Sequence, residues 1–587
     1  MCGIIGACGK VNFKEYLTAQ LRKLDYRGYD SAGIGYFAYD KVEVKKVFGR
    51  VSSLESLLPP NIDSRVGIGH TRWATHGRPN AINAHPQCSN DGKIALVHNG
   101  VISNYKTLQN QLKVRNYRFF SETDTEVIVN LLDWYYRRSG SFIEALAEAS
   151  ENLEGTYACA IIAEDEPNRL FFLKKGSPLL ICKGEEATYI SSDPISFEKE
   201  TGPVYELEDG SYGYLSDKEI SVYQKGELVG LKQITLPSSS FDLELNGYSY
   251  YMEKEIHQIP QCLDNLVSNY FGEGKLNFES SLLETIGKAK EVEILGCGSS
   301  YFAASSASFC FRKNGKKCRA QIASEWDEDQ LRQEDAFYIL LSQSGETADL
   351  IRCQNILNQR AIPHLVITNK KGSTLERKAT YCLLLYAGDE VAVASTKTFA
   401  CEVGLLYLLS SQGRAMDELS SSFKQLGECI EDILARKKEI QNLSAKLSGS
   451  LYVLGKGESY PSSQEVALKF KEVSYIHAEA FPSGEFKHGP IALIENDFPA
   501  LVLISSSKNN ASLRLDAEGI KSRQGNPIII CNGPFALDGD DFAFKEIEPE
   551  LSAIAFGCIG ALLSFFYALN KGYSIDRPRN LAKSVTV

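Results

Sequence analysis

The sequence predicts a strand-rich α+β domain followed by two α/β domains built on parallel sheets. Three observations carry that prediction: short β-type runs over residues 2–235, apolar strands alternating with longer helical segments from about residue 285, and a strand–turn–helix motif that occurs twice in the second half. At 587 residues the chain is too long for one hydrophobic core, and about 150 residues per domain gives three or four.

In the first part, residues 3–6, 94–97, 158–163 and 170–173 are short apolar runs punctuated by Gly, Asn and Asp. Pro237-Ser238-Ser239-Ser240 then reads as a connector. Beyond it, strands are expected over 292–295, 336–341 and 364–368, with helices from about 300 and 347, the alternation that parallel strands with right-handed crossovers require. Ligands of such sheets sit at the carboxyl ends of the strands. Leu295-Gly296-Cys297-Gly298-Ser299-Ser300-Tyr301 recurs as Leu454-Gly455-Lys456-Gly457-Glu458-Ser459-Tyr460, each copy after an apolar strand and before a helix. A further helical segment is expected over 465–481. These readings divide the chain into a domain over 2–236, a linker and connecting helix over 237–284, α/β domains over 285–425 and 440–575, and a tail over 576–587.

Composition narrows the function. Apolar residues form 43% and charged residues 23%, as in ordinary globular proteins. A net charge of -11 argues against nucleic acid, which needs a basic face. Fifteen cysteines, an odd number without paired spacing, point to reduced thiols and a cytoplasmic setting. No Cys-x-x-Cys or His-Glu-x-x-His spacing supports a metal site. The start lacks a basic region and a long apolar run, so no signal peptide is expected. The apolar stretch 553–569 is broken by Gly557, Gly560 and Ser564 and falls short of the roughly 20 residues of a membrane span.

Cys2 is the first candidate for chemistry. With Met1 removed it carries a thiol and a free α-amine, and an amine with a pKa near ~8 can take the thiol proton. An ordinary N-terminal cysteine is the alternative from position alone. Four of the eight histidines, His70, His76, His85 and His98, crowd into one short region. The segments Cys2-Gly3-Ile4-Ile5-Gly6, Tyr26-Arg27-Gly28-Tyr29-Asp30-Ser31-Ala32-Gly33, Arg72-Trp73-Ala74-Thr75-His76-Gly77, His98-Asn99-Gly100 and Ser121-Glu122-Thr123-Asp124-Thr125 resemble the class II glutamine amidotransferases, which are N-terminal-nucleophile hydrolases. That resemblance implies an αββα sandwich with Cys2 as nucleophile in a glutamine pocket. It implies Arg72 on the substrate carboxylate, Asp124 on its ammonium, Asn99 and Gly100 as an oxyanion hole, Thr75 and His76 lining the pocket, and Trp73 gating an ammonia channel. Read alone, Asn99-Gly100 is also a common hairpin turn.

In the second half, Ser342-Gln343-Ser344-Gly345-Glu346-Thr347 follows a strand and opens a helix, which makes an anion site; a plain capping box from Ser344 to Thr347 is the alternative. Ser299 and Ser300, and Val393-Ala394-Ser395-Thr396-Lys397, add hydroxyls at neighbouring strand ends. Together they resemble the sugar isomerase domain, a doubly wound fold that grips phosphosugars. The second repeat reads Ser505-Ser506-Ser507-Lys508 without the Gly-Glu-Thr continuation, so the first repeat is expected to hold the phosphate and the second to carry the chemistry.

Lys469 and Glu472 lie three apart on the expected helix, a spacing that alone is usually a solvated ion pair. With the turn Ser483-Gly484-Glu485-Phe486-Lys487-His488-Gly489-Pro490 and the tail Pro578-Arg579-Asn580-Leu581-Ala582-Lys583-Ser584-Val585-Thr586-Val587, they resemble the glucosamine-6-phosphate synthase family in the same domain order. The resemblance implies glutamine and fructose 6-phosphate as substrates and no cofactor. It implies Lys583 as Schiff-base lysine on a tail folded over the sugar site, Glu472 as proton carrier between C1 and C2, and Lys469 as its helper. His488 would open the sugar ring from a neighbouring subunit, hence a homodimer. Ala582 and Val393 would line the sugar pocket with Ser299, Ser300, Ser342, Gln343, Ser344, Thr347 and Ser395. Ser299 and Phe302 depart from the family's usual threonine and histidine, and residues 505–545 match its pattern poorly. A related ketose phosphate remains an alternative acceptor. The pyrophosphate loop of an asparagine synthetase is missing, and Asp540-Asp541 lacks the context an amidophosphoribosyltransferase needs.

Overall fold

A computed structural model describes residues 2–25, 27–73, 76–197, 202–235, 244–332 and 335–585. Tyr26, Ala74, Thr75, the connector 237–240, and Thr586 with Val587 lie outside the described residues. The chain divides into two compact units, residues 1–241 together with 582–587, and residues 242–581.

In the first unit the described residues form two antiparallel sheets, one of eight strands and one of seven. Gly3–Gly9 lies beside Val66–Arg72 in the larger sheet, and Ile94–Ile102 beside Gly155–Ala163 in the smaller. Successive side chains on a strand point to opposite faces, and here both faces are buried. Ile5 and Ala7 pack on the helix Phe13–Leu24, whereas Ile4 and Cys8 point to the layer between the sheets. On the smaller sheet, Ile94 and Leu96 meet the helices Thr125–Ser139 and Phe142–Asn152, while Ala95 and Val97 face inward. The order of layers is therefore helix, sheet, sheet, helix, the αββα sandwich. Two-sided burial explains why these strands read as short apolar runs rather than alternating ones. Gly67 lets the helix lie close, since a Cβ there would stand 2.7 Å from the Phe13 ring.

The second unit contains two five-stranded parallel sheets. The first has the order Lys317–Ile322, Glu291–Gly296, Ala336–Ser342, His364–Thr368, Tyr381–Leu384, and every pairing is parallel. The second repeats it as His477–Pro482, Ser450–Gly455, Pro499–Ile504, Asn526–Asn532, Phe542–Phe544. In both, the first strand in sequence sits between the second and the third, the doubly wound order whose ligand crevice opens where the winding reverses. One apolar core joins the repeats and includes the helices Lys397–Ser410 and Ser552–Lys571. The latter helix is long and apolar enough to cross a membrane, but 94% of its most apolar window is buried inside the unit. Packing from several sides accounts for its uniform apolarity.

One expected element differs. The helix over 465–481 is instead the end of an α-helix, Ser459–Lys469, then a single π turn, Phe470–Ser474, and then the edge strand His477–Pro482. Tyr475 makes the break with a left-handed backbone, φ +55°. Parallel pairing of the strand with Ser450–Gly455 overrides the helix-favouring residues Ala478, Glu479 and Ala480.

Candidate functional site

In the first unit the period of two places the reactive residues. Cys2 precedes the inward-facing Ile4 by two residues, Arg72 and His70 continue the face of Val66 and Ile68, and Asn99 continues that of Ala95 and Val97. The apolar inter-sheet layer thus ends in a polar patch made by three strands. Cys2 is half-buried; its thiol donates to the Trp73 carbonyl at 3.4 Å, and the Trp73 N–H points back at the sulfur at 3.3 Å. Burial pushes the thiol pKa up, opposed by the positive amino terminus, the Trp73 backbone and Arg72.

Asn99 and Gly100 are not a turn. Both lie within the strand Ile94–Ile102, opposite Ala158 and Tyr157. Asn99 Nδ2 donates to the Cys2 carbonyl at 3.0 Å, which uses one of its two hydrogens. Gly100 has φ +135°, and a Cβ there would stand 2.0 Å from the Thr156 carbonyl oxygen, so no other residue fits. Arg72 donates through Nη2 to the carbonyls of His76 and Gly77, the latter at 3.3 Å. Its Nη1 is buried with no hydrogen-bond partner among the described residues, a charged donor waiting for an acceptor. Asp124 is 3% exposed and accepts the Ile102 N–H at 2.8 Å through one oxygen. The His76 ring meets Tyr105 edge-on at 5.2 Å, and Trp73 is half-buried. Thr75 lies outside the described residues.

The second unit offers two groups. In the first repeat, Ser342 ends its strand and its hydroxyl accepts the Gly345 N–H at 3.1 Å and lies 2.9 Å from Thr347 Oγ1. Ser344 accepts the Glu346 N–H at 3.1 Å, and the Gln343 carbonyl accepts the Asn369 N–H at 3.1 Å. This loop leads into the helix Ala348–Gln359, whose N-cap is Thr347 rather than Ser344, so a capping box does not describe it. Hydroxyls and free helix N–H groups here converge as an anion would require. The third strand-end segment is held from outside: Val393 is buried and its N–H donates to the Asp576 carbonyl at 3.0 Å, while Ser395 is half-buried.

The other group joins the two repeats. Lys469 is 1% exposed and its ammonium reaches Glu472 at 2.6 Å, Ser299 at 3.2 Å and Glu465 at 3.3 Å. Ser299 in turn donates to Glu465 at 3.1 Å, and Ser300 to Glu402 at 2.8 Å. Burial lifts the Glu465 carboxyl to about 7, with Lys469 opposing and Glu472 adding to the rise. Burial works against the Lys469 charge, but Glu465 and Glu472 outweigh it and raise its pKa, so the ammonium persists. A cavity of ≈ 490 Å³ opens beside Glu472, lined also by Leu468, Tyr475 and Arg579. Glu465 and Glu402 are absent from the residues picked out by sequence; the i, i+4 spacing of Glu465 to Lys469 was the signal available. His488 stands exposed and shares no hydrogen bond with this group among the described residues, and Ala582 and Lys583 fall within the first unit. In the second repeat Glu458 occupies the place of Ser299 in the motif and accepts from Ser505 at 3.2 Å, which puts a carboxylate in that crevice.

A glutamine amidotransferase domain model matches residues 70–199, and a SIS domain model matches 285–410 and 446–536. The chain is 36% identical to the glutamine–fructose-6-phosphate aminotransferase (isomerizing) of Clostridium perfringens and 37% identical to that of Listeria innocua, with 100% of this chain and of each relative covered. Among solved structures, the C-terminal domain of glucosamine-fructose-6-phosphate aminotransferase from Francisella tularensis is similar with a TM-score of 0.52 and 27% identity, covering 57% of this chain and 100% of that one.

Proposed function

The chain belongs to the glutamine–fructose-6-phosphate aminotransferase (isomerizing) family, and from that membership we propose that it hydrolyses glutamine at Cys2 and passes the ammonia to fructose 6-phosphate, giving glutamate and glucosamine 6-phosphate. The observation that carries the first half is Cys2 at the mouth of the inter-sheet layer, its carbonyl accepting from the Asn99 amide and its thiol held by the Trp73 backbone. The thiolate attacks the glutamine amide carbon, and the second Asn99 hydrogen with the Gly100 N–H receives the developing oxyanion. Arg72, through its unpartnered Nη1, takes the substrate carboxylate, and Asp124 keeps an oxygen for the ammonium. Thr75 and His76 line the pocket, and Trp73 controls the passage of ammonia.

For the second half, the loop Ser342, Gln343, Ser344 and Thr347 takes the phosphate in the first repeat, where Ser299 stands at the motif position that Glu458 fills in the second. Ser299, Ser300, Val393, Ser395 and Ala582 line the sugar. Lys583 forms a Schiff base with the open-chain ketone, ammonia displaces it, and Glu472 moves the proton between C1 and C2 while charged Lys469 holds that carboxylate in place. His488, exposed on its own chain, acts on the sugar of a partner copy, so the working form is a cytoplasmic homodimer.

The test follows both products together. Purified enzyme given glutamine and fructose 6-phosphate should form glutamate and glucosamine 6-phosphate in equal amounts, and Cys2→Ala should abolish both. Glutamate without amino sugar would mean that a related ketose phosphate is the acceptor.

A further inference from the structure

His70 sits in the middle of this chemistry without a role in it. It lies on the strand Val66–Arg72, is 0% exposed, and its Nε2 is 3.0 Å from the Asn99 side-chain oxygen and 3.0 Å from the His98 carbonyl. Both neighbours are acceptors only, so Nε2 must carry the hydrogen. Burial keeps the ring neutral, its pKa pushed down to about 3. The ring plane is held by His85, packed against it with centroids 4.3 Å apart. His85 is fixed in its turn: it accepts the His98 N–H at Nδ1, so its Nε2 hydrogen faces Thr125 Oγ1 at 3.1 Å.

We infer that His70 is a positioning residue that fixes the rotation of the Asn99 carboxamide and so aims its NH2 at the Cys2 reaction centre. The carboxamide has two rotations related by a half-turn. In the observed one, its oxygen receives the His70 N–H and its nitrogen donates toward Cys2. In the other, the NH2 would meet the His70 N–H donor to donor, and the oxygen would face the Cys2 carbonyl acceptor to acceptor, leaving buried groups unsatisfied at both ends. Without the ring donor the two rotations become closer in energy, and the oxyanion donor is present only part of the time. The inference rests on the oxyanion role proposed for Asn99.

The experiment is a double-mutant cycle on glutamine hydrolysis by the full-length enzyme. His70→Leu should lower kcat by about tenfold or more, with KM for glutamine changed by less than about twofold, because the lost interaction acts in the transition state. His70→Gln, whose amide nitrogen reaches the Nε2 position, should recover most of the rate. In an Asn99→Ala background, His70→Leu should cost nothing further. The alkylation rate of Cys2 by iodoacetamide reports an intact fold in each variant, and His70→Met replaces the leucine variant should that one not fold. An equal loss with and without Asn99, or a glutamine variant no better than leucine, would overturn the inference. If Asn99→Ala alone leaves kcat unchanged, the oxyanion reading falls and this one with it.

Discussion

Glu465→Gln probes the buried Lys469 group through the dependence of stability on pH. Glu465 is 1% exposed, and burial lifts its carboxyl from 4.5 to about 7 against the pull of Lys469. A folded-state pKa above the unfolded one means that between these values the native chain holds a proton the unfolded chain has released. The stability this group contributes is therefore complete below about pH 4.5, is lost as pH rises through about 7, and is flat beyond. At ~1.36 kcal/mol per pH unit, the loss across that window is about 3 kcal/mol. Glutamine has nearly the same shape and does not titrate. The unfolding free energy of the variant minus that of the parent should thus rise by about 3 kcal/mol from pH 4.5 to 7, whatever its constant offset, since all other groups cancel. Trp326 is 0% exposed and is the single tryptophan of residues 242–581, so in a Trp73→Phe, Trp134→Phe background its fluorescence follows urea unfolding of the second unit. A difference that stays level or falls across the window would show that Glu465 is ionised throughout, and the neutral-carboxyl reading would be wrong.

Two substitutions test the binding groups separately. Arg72→Lys keeps a charge but loses the fork that holds the His76 and Gly77 carbonyls with one arm and leaves Nη1 for the substrate; KM for glutamine in steady-state hydrolysis should rise by about tenfold to a hundredfold, the worth of a charge-assisted hydrogen bond, and an unchanged KM would remove Arg72 from the pocket. Gly345→Ala places a Cβ 2.1 Å from Ser373 Oγ at φ +65°, which costs about 1–2 kcal/mol in backbone strain alone and must shift the Ser342 loop. KM for fructose 6-phosphate should rise about tenfold while glutamine hydrolysis without sugar is unaffected; a parallel loss of both would mean a global fault instead.

The fold was legible where burial on both faces left short apolar strings, because length and flanking turns then mark a strand without help from alternation. Residues 336–341 and 364–368 match the strands Ala336–Ser342 and His364–Thr368 for that reason, and the repeated glycine-rich motif identified two copies of one topology. Legibility failed at His477–Pro482, where local preference favours helix and only the partner strand decides, and at Lys469–Glu472, where the helix widens into a π turn that no residue type announces.

The sites divide along the same line. Residue type marked Cys2, Arg72 and Asn99 as suited to chemistry, but nothing in their spacing says that they meet; three separate strands must each place every second side chain in one layer and stop at the same edge. A shift of one residue in any of these registers would turn its polar residue toward the helices and leave the patch incomplete. The apolar residues Ile4, Ile68 and Val97, two or four positions from the reactive ones on the same strand faces, therefore specify the site as much as the reactive residues do. For Glu465 and Lys469 the spacing was visible and ambiguous, since an i, i+4 pair in water and one sealed from it read alike. What separates them is the packing of Ser299 from the other repeat over the pair, a contact between distant parts of the chain that only the folded molecule brings together.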